Sequence, residues 1–394
     1  MKKVGLLTYH SVSNFGANLQ TLSTVSYLRN RGYDVVLINW MPEDLDEYYI
    51  KQVHDIQRKE HAAFVHKYLP ITKLCRTSKD VQNVIFEENL SSILIGSDAV
   101  FSYKPILRRF HLSRKSFIAY TPVTTDHTYP NPFWGDFKSN DDIKLISLSA
   151  SAQFLDLNRC LCFERKHLKD ALEKFNYISV RDTWTKQIVE KLTGRQAYLT
   201  PDPVWAFNQN CSLLLQDFDN LRSKYHLAHK YAIISFCKLL YPDGWYEDLY
   251  SKLHDQGFQV VNLAMPEGCI NVKSDIVIDI PLNPIDWYAI IQNSSAYIGQ
   301  RMHPMIVAFH NNVPFYIFDH YLFKTGKPSS SKIYDILERS EHLSQYTQVN
   351  STSIVTPGDV VISILNFDKF KARQYAEKYL TAYNDMMEDI SKFI

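Results

Sequence analysis

The chain has 394 residues, and its 45% of hydrophobic residues are enough for packed cores and exclude a mainly disordered protein. Lysine and arginine total 43 against 42 acidic residues, so the net charge is +1. A chain that wraps nucleic acid or coats an anionic membrane would show a basic excess, and this balance therefore argues against both partners.

The first elements predict a βαβ unit. Residues 3–9 form an apolar run typical of a strand, a turn follows at residues 14–16, and apolar side chains then recur at helical spacing over residues 19–28. Residues 35–40 are predicted to be a second buried strand, and this order of elements implies a parallel sheet. The pattern continues with strands predicted at residues 93–95, 145–148 and 177–180 and helices at 163–174 and 183–192.

The second half of the chain repeats this alternation after a polar stretch at residues 208–229. Strands are predicted at residues 231–236, 258–263, 276–278, 297–299 and 315–318, and helices at 244–256, 284–292 and 305–310. The length also predicts two domains, at roughly 150 residues each. We therefore expect an α/β fold of two Rossmann-like, doubly wound domains with parallel sheets, over residues 1–205 and 206–345.

Two segments depart from this alternation. Residues 346–394 are predicted to contain a long helix that docks on the domains, because its apolar residues recur on one face. That face carries Tyr375, Tyr379, Tyr383, Met386 and Ile390. Residues 102–142, rich in proline, aromatic residues and asparagine, are the least regular part and predict a long insertion that runs over the surface.

Neither a membrane span nor a metal site is indicated. No apolar run reaches the roughly 18–20 residues that cross a bilayer, and the apolar start at residues 4–7 is too short for a signal peptide. The six cysteines form no CxxC pair, so we expect reduced thiols and a cytoplasmic location. The fourteen histidines lack the spacing typical of a zinc site.

Polar residues after the predicted strands are the candidates for a site, because ligands of doubly wound folds bind at the carboxyl ends of strands. Residues 9–20 place Asn14 and Gly16 before a helix whose free N–H groups suit an anion, and the alternative is an ordinary turn. Asp98 follows the strand at residues 93–95. It is either a sugar-binding carboxylate or base, or an N-cap.

Three further residues are candidates. Arg181 ends a predicted strand and is expected to point into the cleft, with a surface ion pair to Asp182 as the alternative. Asp202 precedes a proline and is most simply explained as a turn at the domain boundary. Lys332 closes the loop at residues 327–332, which either contacts a phosphate or is merely flexible.

The strongest candidate is the sequence GQRMHP at residues 299–304. A predicted strand ends at Gly299, and Pro304 suits a first helical position, so Arg301 and His303 lie at a helix N-terminus that favours an anion. The arginine fork suits a carboxylate or a phosphate, and histidine transfers protons near neutral pH. The alternative is a capping histidine with a solvated arginine.

Taken in order, these motifs resemble the polysaccharide pyruvyl transferase family. The segments that carry the resemblance are NFGANLQ at residues 14–20, GSD at 96–98, ISVRD at 178–182, DPV at 202–204 and GQRMH at 299–303. The resemblance implies two Rossmann-like domains in a glycosyltransferase-B-like arrangement. It also implies transfer of pyruvate from phosphoenolpyruvate to two hydroxyls of a sugar, with formation of a ketal and release of phosphate.

The resemblance also implies roles for particular residues. Phosphoenolpyruvate would be held by Arg181, Arg301, the backbone of Met302, and His303. The predicted catalytic residues are His303, Arg301 and Asp98. His303 either donates the proton or hydrogen-bonds the phosphate, and Asp98 and Asp202 are the candidate bases for the acceptor hydroxyl. Acceptor or cleft candidates are Asn14, Gly16, Asp202 and Lys332. Phosphoenolpyruvate serves as co-substrate, and neither a cofactor nor a metal is expected.

The expected partners are phosphoenolpyruvate and a sugar acceptor, either in a polysaccharide such as a capsule or exopolysaccharide or on a lipid carrier. We expect no nucleic acid, no transmembrane segment, and at most peripheral contact with the inner face of the membrane. Two alternatives stay open, a sugar-nucleotide-dependent glycosyltransferase of the same architecture and a non-catalytic protein of polysaccharide assembly. The chain departs from the family at Phe101, where tryptophan is frequent, and at Asn312, where glycine is frequent.

Overall fold

Apolar, β-branched segments of the first half assemble into a six-stranded parallel sheet, in the order β2-β1-β3-β6-β7-β8. The computed structural model describes residues 3–111, 119–137, 143–153, 155–215, 218–319, 331–349 and 355–394. The strands of this half are β1 (Lys3–Leu7), β2 (Asp34–Leu37), β3 (Ser92–Asp98), β4 (Phe110–His111), β5 (Ala119–Tyr120), β6 (Lys144–Ala150), β7 (Tyr177–Val180) and β8 (Tyr198–Leu199). Strands β4 and β5 pair with each other as a small antiparallel hairpin outside the parallel sheet.

The second half forms another six-stranded parallel sheet, in the order β11-β10-β9-β12-β13-β14. Its strands are β9 (Tyr231–Ser235), β10 (Gln259–Leu263), β11 (Ile276–Ile278), β12 (Ala296–Gly299), β13 (Phe315–Asp319) and β14 (Tyr346–Gln348). All residues of the central strands β9 and β12 are buried, as expected for strands covered on both faces. The predicted α/β class with two parallel sheets is confirmed.

Helices cover both sheets. They are α1 (Phe15–Asn30), α2 (Glu43–Gln52), α3 (Asp55–Tyr68), α4 (Ser78–Glu87), α5 (Cys162–Glu173), α6 (Thr183–Thr193), α7 (Phe207–Asn210), α8 (Phe218–Lys224), α9 (Asp243–Asp255), α10 (Pro284–Gln292), α11 (Met302–His310), α12 (Lys332–Arg339), α13 (Pro357–Leu365) and α14 (Lys369–Ser391). Within the described ranges, no helix is long and apolar enough to cross a membrane.

The long terminal helix α14 returns to the first half of the chain. Its predicted apolar stripe is buried: Tyr383 packs edge-on against Tyr27 at 5.6 Å, and Tyr375 stacks on Phe309 at 5.4 Å. One face of this helix therefore contacts elements of both halves. The division into residues 1–205, 206–345 and 346–394 stays a prediction.

The prediction that residues 102–142 run over the surface is wrong for part of this segment. Phe133 and Trp134 are each 1% exposed. Phe133 packs edge-on against Trp40 at 4.6 Å, and Trp134 stacks on Phe101 at 5.1 Å. Aromatic side chains bury a large apolar area, so this part of the segment joins the core of the first half. Residues 112–118 and 138–142 lie outside the described residues.

Three contacts fix the two halves against each other. The Gln57 side chain on α3 exchanges two hydrogen bonds with the backbone of Leu282, at 2.8 and 2.7 Å. Phe15 at the start of α1 stacks on Trp287 of α10 at 5.0 Å. The Thr183 hydroxyl donates to the carboxylate of Asp335 on α12. These contacts hold the carboxyl ends of both sheets on either side of one cleft.

Candidate functional site

The cleft between the two halves has a volume of about 660 Å³. Its wall is lined by residues of both halves, among them Tyr9, Asp98 and Asp182 of the first and Met265, Arg301 and Ile333 of the second. Seven of the predicted site residues line it: Asn14, Gly16, Asp98, Arg301, Met302, His303 and Lys332. The other two, Arg181 and Asp202, are nearly fully buried and are not among the residues that line the cleft.

Helix α11 begins in the cleft wall, directly after the Arg301 N-cap. Among the described residues, no side chain caps its first-turn N–H groups, which leaves a helix N-terminus suited to an anion. Pro304 is the third helical residue and not the first as predicted, because Met302 already has helical geometry. The Arg301 side chain is 25% exposed and pairs with Glu267 at 2.5 Å. His303 makes no cap, so the capping histidine of the alternative is wrong.

His303 packs against the start of α1 in the other half of the molecule. A methyl group built on Gly16 would lie 2.0 Å from Nδ1 of His303, which is closer than any real contact. Gly16 therefore stands where only a hydrogen atom fits beside the imidazole. The Asn14 side chain caps α1 by accepting a hydrogen bond from the Ala17 N–H at 3.2 Å. The turn that precedes α1 thus positions the histidine of α11.

We expect a Gly16→Ala substitution to displace His303. Alanine favours a helix by about 1 kcal/mol over glycine, but overpacking against the ring costs about 1–3 kcal/mol, so the free energy of unfolding should fall. Chemical denaturation measures this change. Gly244→Ala is the matched control, because Gly244 is the second residue of α9 and has open space around it. That variant should be as stable as the wild type or more so. An equal gain in the free energy of unfolding for both variants would contradict the close contact between Gly16 and His303.

Arg181 lies beneath the cleft between two carboxylates. Its NH1 group donates to Asp202 Oδ2 at 2.8 Å, and its NH2 group donates to Asp98 Oδ1 at 2.7 Å. The side chains of Arg181 and Asp202 are each 2% exposed. Both sequence-based expectations for Arg181 are therefore wrong. The guanidinium neither points into the open cleft nor pairs with Asp182, which instead caps α6 by accepting from the Thr185 N–H at 2.7 Å.

The two carboxylates on Arg181 are held in the ionised form. Burial raises the pKa of Asp98, but the charges of Arg181, Lys332 and His303 outweigh it and bring the pKa well below its usual value. Burial likewise raises the pKa of Asp202, and His303 and Arg181 together lower it to about 2. His303 Nε2 lies 3.7 Å from Asp202 Oδ2. The imidazole thus has a fixed negative charge behind it.

The simple structural roles predicted as alternatives, a turn for Asp202 and an N-cap for Asp98, do not account for either carboxylate. Asp202 does cap the short helix Pro203–Ala206 by accepting from the Val204 N–H at 3.0 Å, as the turn interpretation predicts. The same carboxylate also joins Arg181 and His303, which a turn does not require. Asp98 is not an N-cap, because no helix follows β3 directly.

The buried carboxylates predict a loss of stability in acid. Because the folded pKa of Asp202 lies near 2 and the usual value near 4, this group stabilises the fold fully above pH 4 and loses that contribution as the pH falls through 2. We expect the free energy of unfolding of the wild type to exceed that of Asp202→Asn by about 2 kcal/mol at pH 7. Denaturation at several pH values should show this difference shrinking between pH 4 and pH 2. A difference that does not depend on pH would contradict the assignment.

Lys332, the first residue of α12, also lines the cleft wall. Burial lowers its pKa, Arg181 lowers it further, and Asp98 raises it, so Lys332 lies near the buried cluster. Ser331 caps α12 by accepting a hydrogen bond from the Tyr334 N–H at 3.3 Å. Residues 327–330 of the predicted loop lie outside the described residues.

Other residues of the cleft were not predicted. Glu267 follows β10, and a search for polar residues after every predicted strand would have found it. Asp126 and His127 also line the cleft, but they come from the irregular segment after β3, where no periodic pattern marks them. Tyr9, which begins the candidate segment at residues 9–20, lines the cleft as well. Asn312, the departure from the family's glycine, has φ 59°, which confirms the left-handed helix end that asparagine tolerates.

Comparison with known proteins supports both the fold and the family. The chain resembles the structure of a putative UDP-N-acetylglucosamine 2-epimerase from Listeria monocytogenes. The TM-score is 0.59 and the identity 11%, and the match covers 99% of this chain and 96% of that chain. It also resembles UDP-GlcNAc 2-epimerase from Neisseria meningitidis bound to UDP-GlcNAc (TM-score 0.57, 8% identity, 100% of both chains). A third similar structure is LpCGTa in complex with UDP (TM-score 0.51, 10% identity, 100% of this chain and 99% of that chain).

At such low identity these structures show the fold alone, and they confirm the glycosyltransferase-B-like arrangement of the two sheets. No curated protein matches the chain. The family model described as polysaccharide pyruvyl transferase matches residues 14–321. This match spans most of the chain and all of the motifs on which the resemblance depends. The chain therefore belongs to the polysaccharide pyruvyl transferase family, and it is an enzyme of that kind.

Proposed function

We propose that this enzyme transfers pyruvate from phosphoenolpyruvate to two hydroxyls of one sugar, forming a ketal and releasing phosphate. The acceptor is a sugar of a polysaccharide or of a lipid-linked oligosaccharide. The family match supports pyruvyl transfer onto a polysaccharide. The observation that favours phosphoenolpyruvate as the donor is the uncapped N-terminus of α11, where Arg301, His303 and Lys332 line one cleft.

The donor carries a carboxylate and a phosphate, and both are anionic throughout the reaction. The fork of Arg301 can bind one of them through two parallel hydrogen bonds, while the first-turn N–H groups of α11, beginning at Met302, suit the other. Lys332 adds a point charge that stabilises the departing phosphate. Arg181 acts from below the cleft: it holds Asp98 and Asp202 rather than the donor itself.

The chemistry needs a proton at C3 of phosphoenolpyruvate and a bond from the sugar at C2. We assign His303 as the proton donor, because its imidazole lines the cleft and has the ionised Asp202 carboxylate 3.7 Å behind it. Asp98, the predicted base, has a pKa well below its usual value, so it is a poor proton acceptor near neutral pH. We therefore propose that Asp98 positions Arg181 and balances its charge.

The proposal includes phosphoenolpyruvate as co-substrate and no further cofactor. It also places the enzyme in the cytoplasm, with at most peripheral contact at the inner face of the membrane when the acceptor is lipid-linked. Purified enzyme incubated with phosphoenolpyruvate and a panel of galactose, glucose and mannosamine glycosides should release phosphate only when a suitable acceptor is present. No acceptor-dependent phosphate from the whole panel would count strongly against this function.

Thermal-shift measurements separate this function from that of a sugar-nucleotide-dependent glycosyltransferase of the same fold. We expect phosphoenolpyruvate to raise the melting temperature of the wild type, since a ligand that binds only the folded state stabilises it. UDP-sugars should raise it less. The reverse order would favour the glycosyltransferase.

Replacing Arg301 with alanine should abolish most of the shift caused by phosphoenolpyruvate. A charged hydrogen bond to an anion contributes about 1.5–3 kcal/mol, so its loss predicts roughly 10- to 100-fold weaker binding. Titration of phosphoenolpyruvate in the thermal-shift assay measures the change. Arg373→Ala, which removes an exposed arginine paired with Glu377 on α14, is the control and should bind normally. Full activity of Arg301→Ala would overturn the assignment of this residue.

A further inference from the structure

A second group of polar side chains lies in the cleft and has no part in the proposed donor site. Tyr9, Asp126 and His127 all line the cleft. Asp126 is 1% exposed, and its Oδ2 accepts a hydrogen bond from the Tyr9 hydroxyl at 2.6 Å. Its Oδ1 is buried without a hydrogen-bond partner among the described residues. Because a buried oxygen without a partner costs free energy, this arrangement favours a ligand that donates a hydrogen bond.

His127 stands beside this carboxylate at the edge of the cleft. Its side chain is 33% exposed, and its Nε2 lies 3.6 Å from Asp126 Oδ2. That distance is too long for a hydrogen bond, and His127 Nδ1 is buried without a hydrogen-bond partner among the described residues. An imidazole that reaches a cleft with a carboxylate behind it can accept a proton from a bound ligand.

The turn that carries Asp126 and His127 is held rigidly. The backbone N–H and the hydroxyl of Thr125 both donate to Asp44 Oδ2, at 2.7 and 3.0 Å. The buried Asn131 side chain donates to the carbonyls of Thr125 and Asp126, at 3.2 and 3.3 Å. A frame of this kind keeps a functional group within a fraction of an ångström of one position, as binding and catalysis require.

Electrostatics place this group around the same cavity as the donor site. Burial raises the pKa of Tyr9 well above its usual value, and Asp126 and Asp98 raise it further, so Tyr9 keeps its proton and donates to Asp126. Burial, Asp126 and Asp98 also raise the pKa of Tyr49, and Arg301 lowers it. Charges act on a neighbour over roughly 10 Å, so Tyr49, which also lines the cleft, is close to both the Asp126 group and the donor site.

We infer, resting on the proposed function, that Tyr9, Asp126 and His127 form the subsite for the acceptor sugar. His127 is the base for the attacking hydroxyl, and Asp126 Oδ1 accepts a hydrogen bond from the neighbouring hydroxyl. Two adjacent hydroxyls of one sugar present these two donors side by side, so the ligand class is a hexose with a free diol.

With these roles, every bond and every proton of the reaction is accounted for. The first hydroxyl oxygen bonds to C2 of phosphoenolpyruvate, its proton passes to His127, and His303 gives a proton to C3. The bond between C2 and the phosphate oxygen then breaks, and its electron pair leaves with the phosphate. The second hydroxyl oxygen bonds to C2, and its proton leaves on the phosphate. His127 returns one proton to solvent and His303 takes one up.

Sugar binding and turnover can be tested separately. Saturation-transfer NMR with methyl glycosides of galactose, glucose and N-acetylmannosamine measures binding without phosphoenolpyruvate, and phosphate release measures turnover. We expect Asp126→Asn and Tyr9→Phe to bind the sugar roughly tenfold more weakly. His127→Gln should keep sugar binding and its melting temperature while kcat falls by about 10²- to 10⁴-fold. His66→Gln, an exposed position on α3, is the matched control and should change neither quantity.

The outcomes distinguish this subsite from the proposed function. Three results would overturn the subsite. They are unchanged sugar binding in both Asp126→Asn and Tyr9→Phe, a His127→Gln variant within about threefold of wild-type kcat, and no sugar binding by the wild type. If the wild type binds sugar through Asp126 yet releases no phosphate, the result would support the subsite and contradict phosphoenolpyruvate as the donor. Tyr9→Phe removes one oxygen atom only, so a folded variant remains available if Asp126→Asn does not fold.

Discussion

Replacing Arg181 with alanine is expected to destabilise the folded enzyme by about 3–5 kcal/mol. Its guanidinium pairs with Asp98 and Asp202, and removing it would leave two carboxylates buried without their shared cation. An ion that has lost its partner keeps the cost of leaving water but loses the attraction that offset it. Denaturant unfolding followed by tryptophan fluorescence measures the change.

Two further variants make this prediction specific. Arg181→Lys keeps the charge but cannot reach both carboxylates with one planar fork, so its loss of stability should be smaller but clear. Arg373→Ala removes an exposed arginine paired with Glu377, and its free energy of unfolding should stay within about 0.5 kcal/mol of the wild type. If Arg181→Ala were as stable as Arg373→Ala, the buried cluster would have no structural role.

His303→Gln should lower kcat by about 10²- to 10⁴-fold. Glutamine keeps a hydrogen-bonding side chain next to Gly16 and Asp202 but cannot give up a proton. Since Arg301 and the α11 N–H groups remain, the KM for phosphoenolpyruvate should change little. Steady-state phosphate release with saturating acceptor measures both constants.

The control for this second prediction is His254→Gln, an exposed position on α9 that should leave kcat and KM unchanged. A His303→Gln variant whose KM rises strongly while kcat stays the same would assign His303 to donor binding alone. A kcat within about threefold of the wild type would exclude His303 as the proton donor.

Much of the α/β alternation could be predicted because buried parallel strands are continuous apolar runs. The predicted strands at residues 177–180 and 276–278 coincide with β7 and β11. Helices α2 and α3 were not predicted, because charged residues cover most of their surfaces and leave little periodicity. In α2 only Leu45 is buried. Such helices depend on packing against neighbours that the local sequence does not reveal.

The sequence predicted most clearly those site residues that share one junction between a strand and a helix. Arg301, Met302 and His303 follow β12 directly, so the position in the fold and the chemistry coincide. The pairing of Arg181 with Asp98 joins residues 83 positions apart, and such a contact exists only in the folded chain. For the same reason, the sequence indicated neither the burial of Arg181 nor the place of Asp126 in the cleft.

The most direct test of the proposed function is the identity of the product. Wild-type enzyme should convert phosphoenolpyruvate and an accepted glycoside into equal amounts of phosphate and a sugar whose mass rises by one pyruvate less one water. Mass spectrometry of the sugar and a phosphate assay on the same sample measure both. Phosphate release without this mass gain, or transfer of a hexose from a UDP-sugar to the same glycoside, would contradict pyruvyl transfer from phosphoenolpyruvate.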